Sequence, residues 1–141
     1  MEILIDNESK LKEAALSLLT FAESEKIFLF QGEMGAGKTS LIKSICLQLG
    51  MLENVSSPTY SLVNEYVYQH GNIYHFDFFR IKNESEAFDL GFEEYLTSGD
   101  YCFIEWPEMI PNLWPDSFIS IKIVEDAEGA RRISAQKHFK A

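Results

Sequence analysis

The sequence predicts an α/β fold in which a parallel sheet core carries antiparallel additions and is flanked by helices. Three observations predict it. An apolar run, Ile27-Phe28-Leu29-Phe30, leads into a glycine-rich turn, and behind the turn Leu41, Ile42, Ile45 and Leu49 recur at helical spacing. Two more apolar runs, Ile73-Tyr74-His75-Phe76-Asp77 and Tyr101-Cys102-Phe103-Ile104-Glu105, read as buried strands and each terminates at an acid. Elsewhere, β-rich runs follow one another in pairs across short turns, which is the pattern of hairpins.

In chain order, residues 2–5 form a short strand, and Leu11, Ala14, Ala15, Leu18, Leu19 and Ala22 mark an amphipathic helix over 9–23. The strand–turn–helix unit runs from about 26 to 50, with Gly50 as the helix stop. Residues 55–60, VSSPTY, are a turn-rich loop with three hydroxyl side chains. Runs 60–68 and 73–79 make a hairpin joined at Gln69-His70-Gly71-Asn72. A helix over 84–98 is interrupted at Gly91 and ends near Gly99. The strand 101–104 stops at Glu105-Trp106-Pro107, because proline breaks a ladder. Segments 117–124 and 131–135 close the chain as a hairpin across a polar loop at Gly129. With no linker, repeat or low-complexity tract, residues 1–141 are expected to be a single domain.

Composition narrows the function. The chain is 46% hydrophobic and 13% aromatic, enough for a packed core, and no run of 18 apolar residues offers a membrane span. The N-terminus, MEILIDNESK, lacks the basic start and long apolar segment of a secretory signal, so a cytoplasmic location is expected. Cys46 and Cys102 fall in apolar-periodic segments and read as small buried hydrophobes. Twelve basic against 22 acidic residues give a net charge of −10, which argues against tight nucleic-acid binding by this chain alone. Arg131, Arg132, Lys137 and Lys140 form the one basic segment, read as a solvated edge. A role in a nucleic-acid pathway through protein partners stays open.

The glycine turn carries the chemistry. Residues 32–39 read GEMGAGKT and fit G-x-x-x-x-G-K-[ST] at every fixed position, between a strand and a helix as a P-loop requires. Glycines let the backbone approach a ligand closely. Residues Glu33, Met34, Gly35, Ala36, Gly37, Lys38, Thr39 and Ser40 then aim N–H groups and the positive helix end at phosphate oxygens. Lys38 is expected to reach the β and γ phosphates of a nucleoside triphosphate, and the Thr39 hydroxyl to sit on Mg2+.

Hydrolysis further needs a strand-end carboxylate and an oriented water. Asp77 and Glu105 both qualify, and the preferred division gives Asp77 to Mg2+, directly or through water. Glu105 then orients the attacking water or completes the Mg2+ shell. Both acids follow runs too apolar to face water. His75 shares a strand face with Asp77 and reads as a core or supporting histidine rather than a base. Trp106 packs on the nucleotide or plugs the core, and from sequence the two readings weigh equally. Ser56, Ser57 and Thr59 either satisfy the backbone of their turn or, lying at the right distance downstream, reach the γ-phosphate and Mg2+ as a switch loop, which is the preferred reading. Tyr60, Tyr66, Tyr68 and Tyr74 are expected to pack the sheet.

Five segments occur in a specific order: GEMGAGKTS, SPTY at 57–60, HFDFFR at 75–80, DLGFEEYL at 89–96 and IEWPE at 104–108. In order and spacing they resemble the bacterial TsaE (YjeE) family of small ATPases over nearly the whole chain. Phe78-Phe79 stands where that family often has Leu-Tyr, a mild departure. The resemblance implies binding of ATP and Mg2+ and a part in making threonylcarbamoyladenosine beside the tRNA anticodon. It further implies association with the TsaB–TsaD pair, contact with tRNA only through that complex, and hydrolysis that is weak until the complex stimulates it. By the match, Lys38 and Thr39 carry the phosphate-loop roles, residues 57–59 the switch, Asp77 the metal and Glu105 with Trp106 the second strand-end motif. Arg80 also matches the pattern.

Adenine is favoured by resemblance alone, since no guanine-reading N-K-x-D motif is present. A low stand-alone rate would follow if a charge-stabilising group came from a partner, because no arginine lies near the loop in sequence unless Arg80 folds towards it. Two other classes are possible in principle. A small-molecule phosphotransferase would need an arginine-rich lid, and the chain has only Arg80, Arg131 and Arg132. A catalytically silent nucleotide sensor would not need Glu105.

Overall fold

A computed structural model of the chain describes residues 1–54 and 62–139. Its elements in order are β1 (Glu2–Ile5), α1 (Leu11–Ala22, entered through a 3-10 turn at Glu8–Lys10), β2 (Ile27–Gln31) and α2 (Lys38–Gln48). Then come β3 (Glu53–Asn54), β4 (Val63–Tyr68), β5 (Gly71–Asp77), α3 (Glu84–Leu90) and α4 (Phe92–Leu96). The last are β6 (Tyr101–Glu105), a 3-10 turn at Pro107–Met109, β7 (Phe118–Glu125) and β8 (Arg131–His138).

Among the described residues the strands form one eight-stranded sheet in the order β1-β8-β7-β2-β6-β5-β4-β3. The four central strands run parallel, with β2 between β6 and β7, and β6 against β5. Antiparallel pairs extend both edges: β7–β8 and β8–β1 on one side, β4–β5 and β3–β4 on the other. The expected α/β architecture, a parallel core with antiparallel additions, is the observed one.

Side-chain alternation sorts the core into two faces. Phe28, Phe30, Phe103, Ile119 and Ile121 pack with Leu18 of α1 and Leu41, Ile42 and Ile45 of α2. Leu29, Phe76, Cys102 and Ile104 pack on the other face with Ala87 of α3 and Phe92 of α4. Phe28, Leu29 and Phe30 are all buried, which explains why the central strand reads as an unbroken apolar run rather than an alternating one. Alternation also sends Ile73, His75 and Asp77 of β5, and Phe103 and Glu105 of β6, to the face that α2 covers. Two acids and a histidine are thereby delivered beside the glycine turn.

The differences from expectation lie at element ends. The β4–β5 turn is tighter than predicted, since Tyr68 pairs with Gly71 and only Gln69 and His70 remain in the loop. Gly71 has φ +148, and a Cβ there would lie 2.6 Å from Asp100 Oδ1. Gly91 at φ +89 ends α3 and starts α4, a conformation that costs other residues strain. β8 continues to His138, whose ring stacks on Phe118 at 4.6 Å across the pair, although alternation fades after Ala135. The short strand β3 carries no apolar pattern that could have announced it. No helix among the described residues is long and apolar enough to cross a membrane.

Candidate functional site: a phosphate-loop groove

The loop that follows β2 turns on a hydrogen bond from the Ala36 N–H to the Glu33 carbonyl at 3.0 Å. Gly35 and Gly37 then take φ of +83 and +105, conformations open to glycine and strained for other residues. Gly32 is tight for a different reason: a Cβ there would stand 2.8 Å from the Ile123 carbonyl of β7. Gly37 caps α2 with no side-chain partner, so the first N–H groups of the helix point out of its end. Glu33, Met34, Gly35, Thr39 and Ser40 are exposed, while Ala36 and Lys38 are buried.

Glu105 is the acid the structure brings to the loop. It is 3% exposed, and its carboxylate accepts the Thr39 hydroxyl at 2.9 Å (Oε1) and 3.2 Å (Oε2). His75 Nε2 donates to Glu105 Oε2 at 2.6 Å. A carboxylate only accepts, so the proton of a neutral His75 sits on Nε2 and leaves Nδ1 to accept the Tyr66 hydroxyl at 3.3 Å. The chain Tyr66–His75–Glu105–Thr39 thus fixes the carboxylate against the helix end. Asp77 pairs with Glu105 in register, yet it is exposed and its Oδ1 accepts the Phe79 N–H at 3.0 Å. The expectation that both acids avoid water therefore holds for Glu105 and not for Asp77, because β5 ends with Asp77 at the open rim of the groove.

Lys38 turns back to donate to the Gly32 carbonyl, and its Nζ stands 3.5 Å from the centre of the Trp106 ring. Burial pushes its ammonium below the ordinary lysine range, and the charges of Glu105, Glu108 and Asp77 oppose that shift. Trp106 has φ +60 and ψ +49, a left-handed backbone that turns the chain sharply after β6 and lays the indole over Lys38 and against Phe79. Half-buried at the groove wall, Trp106 also packs against the core on the α3–α4 face, so it serves the core and lines the groove at once.

A groove of about 310 Å3 gathers Gly35, Gly37, Lys38, Thr39, Ser40, Asp77, Glu105 and Trp106, with Met34 and Phe79 at its edges. Of the expected site residues, Thr59 lies outside the described residues, as do Ser56, Ser57 and Tyr60. Arg131 also lines the groove, and its side chain lies across Gly37. The reading of the C-terminal basic segment as a solvated edge fails for Arg131 and holds for Arg132, while Lys140 lies outside the described residues. Arg132 is exposed and Lys137 bonds Glu23 at 3.1 Å, but β8 carries Arg131 to the loop. Arg80, the arginine that sequence singled out, sits exposed in the turn after β5. No sequence signal marks Arg131, since its place depends on how far the last hairpin overshoots the sheet. A second cavity, of about 500 Å3, lies on the β7 side of the loop between Gln31, Glu33 and Lys122–Glu125 and holds neither Lys38 nor Glu105.

The donors fit a hard cation and a polyphosphate. A hydroxyl and a carboxylate in contact are oxygen ligands of the kind Mg2+ takes, and few protein ligands are needed where phosphates complete the shell. Among the described residues no cluster of three or more metal-binding side chains exists.

The fold and this groove define an α/β protein of the P-loop class. The family model described as "Threonylcarbamoyl adenosine biosynthesis protein TsaE" matches residues 5–133, and the chain belongs to the TsaE family. A Rickettsia prowazekii relative is 40% identical over 110 residues, 73% of this chain and 74% of its own. A Bacillus subtilis relative is 32% identical over 128 residues, 91% of this chain and 80% of its own. Both bear the name tRNA threonylcarbamoyladenosine biosynthesis protein TsaE. The crystal structure of YdiB from Bacillus subtilis shares the fold, with a TM-score of 0.74 and 24% identity over 98% of this chain and 84% of that one.

Proposed function

We propose that this chain is a one-domain, cytoplasmic ATPase that binds and hydrolyses Mg·ATP as a switch in tRNA N6-threonylcarbamoyladenosine synthesis, acting with TsaB and TsaD. The observation that carries the nucleotide reading is the contact of Thr39 with buried Glu105 at the end of the phosphate loop. In this reading the loop N–H groups of 33–40 bind the phosphates and Lys38 leaves the Gly32 carbonyl for the β and γ oxygens. Thr39 and Glu105 would hold Mg2+, and Asp77 would add a further acid from the groove rim, directly or through water. Bound Mg2+ would neutralise charge on the transferring phosphoryl group. His75 keeps the Glu105 carboxylate aimed, and Trp106 covers the phosphate end of the nucleotide once Lys38 has moved. The pathway rests on family membership and on the relatives' names, and the TsaB–TsaD partners rest on the resemblance of the motifs alone. An acidic chain that meets tRNA only through other proteins agrees with the charge of −10.

Calorimetric titration with ATP, with and without Mg2+, tests the nucleotide reading. Wild type should bind more tightly with Mg2+, Lys38→Ala should lose about tenfold or more, and Glu105→Gln should bind equally with and without the metal. ATP binding that ignores both substitutions would overturn the assignment.

A further inference from the structure

Among the described residues, no ion pair and no hydrogen bond at Nε accounts for the position of the Arg131 side chain. A Cβ built on Gly37 would stand 3.1 Å from its Nε and Cζ and 3.2 Å from its Cδ, so the guanidinium lies flat on the last loop glycine. Its Nε is buried without a hydrogen-bond partner among the described residues. Glu125, its register partner on β7, makes no ion pair with it among the described residues. A buried guanidinium N–H left unpaired costs free energy, and Arg is the side chain best shaped to meet phosphate oxygens.

The direction follows from alternation. Ile133 and Ala135 pack on the α1–α2 face, so Arg131 projects to the same face and Arg132 to the other. The β7–β8 hairpin carries it past the end of β2, where Gln31 is already level with Lys122. Strand order sets the flank. β8 and β7 lie on one side of the loop strand, and β6 with Glu105 lies on the other.

We propose that Arg131 is a nucleotide-binding residue that clamps the part of the phosphate chain shared by ADP and ATP, from the flank opposite the metal-holding acids. This deepens the Mg·ATP reading and rests on it. A cation that lies beside Gly37 and comes from the β7–β8 flank would meet the phosphates from the side opposite β6 and its Glu105. Arg131 therefore acts in binding rather than as a charge-stabilising finger on the γ-phosphate.

Calorimetric titration with Mg·ADP and Mg·ATP tests this on the full chain, using wild type, Arg131→Ala, Arg131→Met, Arg131→Lys and Arg132→Ala. Arg131→Ala should weaken both nucleotides by a similar factor, about 10- to 100-fold. Arg131→Met, which keeps the stem on Gly37, should lose as much. Arg131→Lys should recover part of the loss, and Arg132→Ala should match wild type. Unchanged melting temperatures exclude loss through unfolding, and if the Ala variant melts early the Met variant carries the test. Wild-type affinity in Arg131→Ala and Arg131→Met, or a loss confined to ATP, overturns the clamp. The Lys38→Ala control separates the two claims: if wild type binds no better than Lys38→Ala, the nucleotide reading itself fails.

Discussion

His75 shows how a residue without a ligand of its own can set a site. It is buried between Tyr66 and Glu105, and its Nε2 proton is committed to the carboxylate at 2.6 Å. His75→Ala would leave a buried acceptor under-satisfied and the carboxylate free to turn. We expect a stability loss of about 1–3 kcal/mol in urea unfolding, and weaker Mg2+-dependence of ATP affinity. Unchanged Mg2+-dependence would remove His75 from the site. Glu105→Gln keeps the shape and removes the charge, and should lower phosphate release about 100-fold while leaving the fold intact. Asp77→Asn should cost less, because Asp77 is exposed and already accepts the Phe79 N–H.

At the level of elements, the glycine turn is held by contacts that cross from strand to strand. Gly32→Ala would drive a Cβ against the Ile123 carbonyl at 2.8 Å, so β7 or the loop must shift. That substitution should lower both the melting temperature and ATP affinity. Gly50→Ala meets open space and only the strain of φ +85, so it should cost about 1 kcal/mol of stability and leave ATP affinity unchanged. Equal effects of the two on binding would contradict the close-packed loop. The contrast also explains what could be read in advance. The strand–turn–helix unit, β5, β6 and the break at Gly91 all announce themselves in short-range patterns of apolar residues and glycine. The Thr39–Glu105 contact was only half legible, since both strand-end acids looked alike until the rim position of Asp77 separated them. Arg131 was not legible at all: its neighbour Gly37 is far away in sequence, and only the register of β7 with β2 and β8 brings them together.

Across the whole molecule, burial governs the response to pH. Cys46 and Cys102 lie in the two core clusters, and burial pushes both thiols up to about 12 from an ordinary 9.0. Burial raises the hydroxyls of Tyr66, Tyr68, Tyr74 and Tyr101 as well. As pH climbs above about 9, the unfolded chain releases these protons and the folded chain holds them, so stability falls with rising pH. The urea midpoint should be lower at pH 10 than at pH 8, and a midpoint that rose would contradict this burial. For the same reason neither thiol should react with a disulfide reagent at pH 8 until the protein is unfolded. Function at this scale is a question of what the acidic chain does in company. The measurement that bears most directly on it is phosphate release from Mg·ATP by this chain, alone and with TsaB and TsaD, with Lys38→Ala as the control. The account predicts slow release alone, strong stimulation by the partners and loss of that stimulation in Lys38→Ala. Fast release by the isolated chain with no response to the partners would contradict it.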